Sequence, residues 1–141
     1  MSPVLLDTDV LSFFAKADTR ASLYAPDLAG RQLTVCFQTV AELRLWALLR
    51  RWGPTRQAAL DALLSRMVVL PYDATMAYRW AEVTAHRRRA GRPIDCGDAW
   101  IAATALSHGI PLMTHNARDY EGIPGLVVIT ANETASPAGA D

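Results

Sequence analysis

Val4-Leu5-Leu6-Asp7-Thr8-Asp9-Val10-Leu11-Ser12 runs a short apolar segment straight into a carboxylate and then into the start of a helical pattern. Val4–Leu6 reads as a buried strand, and a helix from about Thr8 to Lys16 follows it. The same unit recurs along the chain. Leu33–Cys36 reads as a second strand and leads into a helix from Thr39 to Trp52, stopped by Gly53-Pro54. A helix from about Thr55 to Arg66 precedes the strand Met67–Leu70. Pro71 ends that strand, and Asp73 caps a helix that continues to about Ala90, where Gly91 and Pro93 break it. Asp95 is placed to cap a further helix ending at Gly109, a residue suited to the left-handed C-terminal position. Leu112–Thr114 reads as a strand, Ala117–Tyr120 as a turn of helix and Leu126–Ile129 as a last strand. The stretch around Pro26 and Gly30 reads as a connection.

Short apolar strands alternating with helices predict an α/β fold: a short, mostly parallel central sheet flanked by helices on both faces, because parallel strands need crossover connections. The length suits one domain, residues 1–130, with a small, polar and disordered tail from 131 to 141. In such sheets, sites form beyond the carboxyl ends of the strands. Asp7 directly follows the first strand, and Asp119 follows the Leu112–Thr114 strand. Glu42 and Asp98 stand in the first turns of helices. Four acids gathered at one edge repel one another unless a cation binds, which points to divalent-metal chemistry. A hard, oxygen-only donor set selects Mg²⁺ or Mn²⁺ rather than zinc.

Composition bounds the alternatives. Apolar residues make up 51% of the chain and charged residues 20%, ordinary values for a globular protein. No apolar run approaches the ~20 residues needed to cross a bilayer, and no leader precedes the first strand, so the expected compartment is the cytoplasm. Cys36 and Cys96 lack any partner spacing for a metal or a disulfide, and Cys36 reads as a small core residue. The zero net charge conceals an uneven distribution. Residues 44–92 hold ten of the fourteen basic residues, all arginine, and only three acids, whereas the two ends are acidic. This suits an anionic polymer gripped beside an acidic, metal-loaded pocket; an Arg-rich solvated surface is the plainer reading.

The Thr39–Trp52 helix carries two apolar stripes. Val40, Leu43, Trp46 and Ala47 form one, while Leu45, Leu48, Leu49 and Trp52 form another nearly opposite. One stripe packs on the sheet; the other needs a different cover. Ala59, Leu60, Leu63 and Leu64 of the next helix supply part of it, and the remainder suggests a partner chain.

Each acid also has a purely structural explanation. Asp7 suits a helix cap, and Asp9 either caps or approaches a metal through water. Thr39-Val-Ala-Glu42 matches a capping box. Asp98 gains from the helix dipole, yet shares a face with Ile101 and Ala102, where a carboxylate is costly unless paired or metal-bound. Asp95 reads as the cap of the same helix. Thr114 and Asn116, just before Asp119, are small polar groups able to orient water or phosphate.

Several blocks together resemble the PIN-domain nucleases, and within them the VapC-type toxins of toxin–antitoxin pairs. They are Leu6-Asp7-Thr8-Asp9-Val10-Leu11-Ser12, then Thr39-Val-Ala-Glu42-Leu43, then Asp98-Ala-Trp-Ile101-Ala-Ala-Thr-Ala-Leu106. Gly109, Leu112, Thr114-His-Asn116 and Asp119-Tyr120 complete the match, which spans residues 4–129. The resemblance implies that Asp7, Glu42, Asp98 and Asp119 bind Mg²⁺ or Mn²⁺, with Thr8 and Thr114 as secondary polar contacts; Asp9, Asp95 and Asn116 are further secondary candidates by their positions. It also implies hydrolysis of RNA to a 5′-phosphate and a 3′-hydroxyl, an antitoxin partner and a homodimer. The sequence departs from the family at Asp9, where Asn is frequent, and at Tyr120, where Phe is frequent. Arg87, Arg88, Arg89 and Arg92 are candidate contacts to RNA phosphates; at a helix C-terminus such residues also simply stabilise the dipole.

Two rivals have other chemistry. Aspartate-nucleophile phosphatases share the strand–Asp-x-Asp opening but want small or β-branched residues next and a later lysine. Here Leu11 and Ser12 follow, and Lys16 is the only lysine. The other rival is an RNA- or partner-binding module that keeps the fold without turnover.

Overall fold

The structure, a computed structural model, describes residues 2–130; the expected tail at 131–141 lies outside them. Five strands form one sheet in the order β3-β2-β1-β4-β5, and every pairing is parallel. The strands are β1 (Pro3–Leu6), β2 (Gln32–Cys36), β3 (Val68–Leu70), β4 (Leu112–Met113) and β5 (Val128–Ile129). Between β1 and β2 lie α1 (Thr8–Ala15) and α2 (Ala21–Leu28); between β2 and β3 lie α3 (Phe37–Leu49) and α4 (Pro54–Ser65). The crossover from β3 to β4 carries α5 (Ala74–Arg89) and α6 (Cys96–His108), and a 3-10 turn at Ala117–Tyr120 precedes β5.

The two-residue period of a strand sorts side chains to opposite faces. Val4, Leu6, Val35 and Met113 join one buried cluster with Val10, Leu11, Tyr24, Leu43 and Leu60 of α1–α4. Leu5, Cys36 and Leu112 join a second cluster with Val83 of α5 and with Ile101, Ala102 and Ala105 of α6. Both faces of the short sheet are therefore covered, and its strands read as unbroken apolar runs for that reason. Cys36 is a core residue as expected.

Strand order sets the position of the site. The chain moves outward from β1 through β2 to β3, then returns to place β4 and β5 on the other side of β1. The order thus reverses between β1 and β4. A crevice opens there beyond the carboxyl ends of the strands, which is where α/β sheets bind ligands.

Several expectations need correction. Residues 21–28 form a helix rather than a connection, with Pro26 inside it. Pro26 is the sixth of its eight residues, so the helix forgoes a single amide hydrogen bond there. Helix α3 begins at Phe37, two residues before Thr39, because the Cys36 sulfur accepts from the Gln38 amide at 3.4 Å. Thr39 and Glu42 are therefore interior to the helix, and the capping-box reading fails. The same helix stops at Leu49, and Trp52 folds back into the core at 7% exposure. Leu45, Leu48 and Leu49 stay open to solvent, because Leu60 and Leu64 of α4 turn towards the core instead. Asp73 caps α5 through the Met76 amide, and Gly109 ends α6 at φ +62°. No helix among the described residues is long and apolar enough to cross a membrane.

Candidate active site at the carboxyl edge of the sheet

Asp7 leaves the end of β1 and does two jobs at once. One carboxylate oxygen accepts from the Val10 amide at 3.0 Å and caps α1; the other accepts from the Thr114 hydroxyl. Thr114 follows β4, so this bond spans the β1–β4 reversal directly. Its oxygen also accepts from the Asn116 amide at 3.0 Å. Asp7 is buried, and burial pushes its pKa up from an ordinary 3.8 to about 7, against the lowering effect of those donors and with the charges of Asp9 and Asp98 adding to the rise.

Asp98 comes from the first turn of α6. Burial is again the largest cause of its raised pKa, about 6, and the neighbouring charges of Asp119, Asp95 and Glu42 push the same way. The Tyr120 hydroxyl donates to it at 3.3 Å. Tyr120 is itself buried, which drives its own pKa upward. Glu42 is held by Thr8, whose hydroxyl reaches the carboxylate at 2.7 Å and the Thr39 hydroxyl at 3.1 Å. Asp9 accepts from the Asn116 side-chain amide.

The fold thus brings the acids from β1, α3, α6 and the turn after β4 to one edge, close enough for Asp7, Glu42, Asp95 and Asp119 each to raise or be raised with Asp98 or its neighbours. Among the described residues, however, no three acid, histidine or cysteine side chains converge tightly enough to ligate one ion. None of the ion pairs among those residues reaches Asp7, Asp9, Glu42, Asp95, Asp98 or Asp119. The edge therefore carries concentrated negative charge fixed by hydroxyl and amide donors and, among the described residues, no ion pair to an arginine or lysine. Asp95 begins α6 without a side-chain capping bond and is exposed, so its contribution to Asp98 is through charge.

The basic run divides. Arg87 is only 6% exposed, and its guanidinium donates to three backbone carbonyls: Arg92 at 2.7 Å, Asp119 at 2.9 Å and Glu121 at 3.2 Å. The expectation that Arg87 grips RNA is corrected: it is an internal clamp that ties the end of α5 to the segment bearing Asp119. Arg88 and Arg89 are exposed. Arg92 pairs with Glu121 at 3.6 Å in a solvated setting.

Sequence reading passed over Tyr120 as a contact to Asp98, although its place directly after the last acid was a usable signal. It also passed over Tyr24 on α2, whose hydroxyl lies 2.6 Å from His115 Nδ1 and whose pKa is raised by burial, with Asp7 and Asp9 contributing. No local pattern marks Tyr24, because its partner lies far along the chain.

Comparison with known proteins places this geometry in context. The family model of the PIN domain matches residues 4–125. The chain is 35% identical to Ribonuclease VapC4 of Mycobacterium tuberculosis over 78% of this chain and 86% of that protein. It is 29% identical to the tRNA(fMet)-specific endonuclease VapC of Shigella flexneri over 89% and 96% of the two chains. Among solved structures, VapBC-1 from nontypeable Haemophilus influenzae superposes with a TM-score of 0.82 at 26% identity, covering 92% of this chain and 98% of that one.

Proposed function

The chain belongs to the PIN-domain family, in its VapC-type branch, and from that premise we propose that it is a metal-dependent endoribonuclease acting as the toxin of a toxin–antitoxin pair. The observation that carries the reading is the mutually repelling pair of buried Asp7 and half-buried Asp98, drawn from β1 and α6 to the β1–β4 crevice and, among the described residues, in no ion pair.

The donor set fits Mg²⁺ or Mn²⁺. Every candidate ligand is an oxygen, and Mg²⁺ takes one or two carboxylates while keeping several waters. Asp7, Glu42, Asp98 and Asp119 are the residues that would hold it. One or two such ions supply Lewis-acid chemistry at the phosphodiester and acidify the water that attacks phosphorus.

The chain's own residues prepare the edge. Thr114 and the Val10 amide fix both oxygens of Asp7, Thr8 fixes Glu42, and Tyr120 fixes Asp98. Each carboxylate is thereby held in one rotamer before substrate arrives, so little reorganisation is needed at the moment of reaction. Asn116 does the same for Asp9. With a pKa near 7, Asp7 is partly protonated at neutral pH, so loading with a cation releases a proton. Hydrolysis would leave a 5′-phosphate and a 3′-hydroxyl. Exposed Arg88 and Arg89 are the remaining candidates for phosphate contacts, with Arg92 available once freed from Glu121.

The relatives named above include a tRNA-specific endonuclease and a VapBC protein, which supports RNA as the substrate and an antitoxin as the partner. Leu45, Leu48 and Leu49, between 51% and 74% exposed, offer that antitoxin or a second copy of this chain an apolar surface. The cytoplasm is the setting this reading requires.

The test is cleavage of structured RNA in Mg²⁺ by the natural chain and by Asp98→Asn. Loss of at least about a hundredfold in rate is expected, by analogy with removal of a transition-state electrostatic contact. Equal cleavage by both proteins removes Asp98 from the mechanism, and phosphate release from small phosphoesters would favour a phosphatase instead.

A further inference from the structure

Beside the acids, on the same carboxyl edge, the fold assembles an aromatic group that the cleavage chemistry does not use. Phe37 begins α3 directly after β2, Tyr72 follows the end of β3, Trp100 lies in α6 two residues past Asp98, and Trp80 reaches in from α5. Trp80 stacks on Trp100 with centroids 5.5 Å apart at 29°. Phe37 and Tyr72 meet the same indole edge-on at 5.6 Å and 6.0 Å. The arrangement is fixed from beneath: the Trp80 indole N–H donates to the Cys96 carbonyl at 3.4 Å, and the Trp100 carbonyl accepts from Thr104 at 2.7 Å.

A core needs its aromatics covered, and this group is open. Tyr72 is 57% exposed, while Phe37, Trp80 and Trp100 are half-buried. The group caps β2 and β3, whereas Asp7 and Thr114 cap β1 and β4. Two interstrand spacings, about 10 Å, separate the ends of β3 and β1. Gln38, next to Phe37, meets Gly97, next to Asp98: the Gln38 side-chain nitrogen lies 3.0 Å from where a Gly97 Cβ would stand. A chain laid along this edge would meet aromatic faces and acids in succession.

Resting on the endoribonuclease reading, we propose that Tyr72, supported by Trp100 and Trp80, is a stacking platform for an unpaired base of the RNA strand flanking the scissile phosphate. Every base has a π-face, so stacking positions a single strand without demanding one sequence. The exposed member is a tyrosine, with an apolar ring to stack and a hydroxyl that stays wet. Tyr72 is on this account a positioning residue: it sets where the strand lies relative to Asp98 and touches no reacting atom.

The test uses the cleavage-silenced Asp98→Asn protein with a single-stranded RNA oligonucleotide carrying 2-aminopurine, whose fluorescence falls on stacking. Tyr72→Ala in that background is expected to weaken binding about 5- to 100-fold and abolish the quench, and Tyr72→Phe to retain both. The slope of log affinity against log salt stays unchanged, because no phosphate contact is lost. Equal affinity and quench in Tyr72→Ala overturns the platform. So does a loss accompanied by a smaller sedimenting species, which would make this face a contact between copies of the chain. Cleavage by the natural protein is measured in parallel. Cleavage with unaltered Tyr72→Ala binding sinks the platform alone, whereas quenching without cleavage sinks the nuclease reading and leaves a single-strand binding site.

Discussion

Asp7→Asn removes a charge that the fold makes expensive while keeping the shape and the helix cap. An asparagine oxygen still accepts from the Val10 amide, and Asn is as good a cap as Asp. Thr114, which already accepts from the Asn116 amide, has a second lone pair for the new side-chain amide. What changes is titration. The natural carboxyl rises from 3.8 to about 7 on folding, so the folded state holds its proton more tightly than the unfolded state. That contribution is complete below pH 4 and is lost as pH climbs through 7. About three pH units at ~1.36 kcal/mol each give up to about 4 kcal/mol. The metal-free natural protein therefore loses about that much more stability between pH 4 and pH 8 than Asp7→Asn, which keeps only the contribution of Asp98. Thermal unfolding in EDTA at fixed ionic strength reads this out: the difference in Tm between the two proteins should widen by roughly 10 °C from pH 4.5 to pH 8. Adding Mg²⁺ at pH 8 should raise the Tm of the natural chain and leave the variant nearly unmoved. A difference independent of pH would refute the claim that this carboxylate is desolvated.

Arg87→Ala strands three backbone carbonyls and is expected to cost about 3 kcal/mol in urea unfolding, with RNA cleavage falling because the Asp119 segment is released; unchanged stability would return Arg87 to the list of phosphate contacts. The Arg88→Ala, Arg89→Ala double variant should flatten the salt dependence of RNA binding by about 1.4 in slope, if each arginine neutralises one phosphate of a single strand, and an unaltered slope excludes both. Leu48→Ser with Leu49→Ser, at 74% and 70% exposure, should shift monomer stability by less than about 0.5 kcal/mol while weakening association with an antitoxin or a second copy; association unchanged in sedimentation velocity would mean that this face is idle.

Much of the fold was readable because the local signals agreed. Val4–Leu6, Leu33–Cys36 and the turn chemistry at Gly53-Pro54, Asp73 and Gly109 each marked an element that the structure contains. Failures occurred where a distant partner decided the outcome. Thr39-Val-Ala-Glu42 looked like a cap, but Cys36 starts the helix, leaving Thr39 and Glu42 to meet Thr8 across the α1–α3 contact. Ala21–Leu28 was hidden by Pro26, since tertiary burial of Tyr24 and Leu28 outweighs weak propensity in a short segment. Arg87 looked like its exposed neighbours, and only the return of residues 119–121 beneath it makes it a clamp. The acids themselves were legible as positions; what could not be read was that hydroxyl and amide donors from other elements orient each one.

The bond between Thr114 and Asp7 joins the end of the first strand to a segment synthesised more than a hundred residues later. Residues 3–70 contain a three-strand half-sheet that can begin to organise as soon as it emerges, yet β1 then has an unoccupied side until β4 arrives. Asp98, Thr114, Asp119 and Tyr120 all come after that half-sheet. A copy that has reached only residue 70 therefore has Asp7 and Glu42 but no completed crevice, and the edge on which the proposed chemistry depends is closed only when β4 is in place.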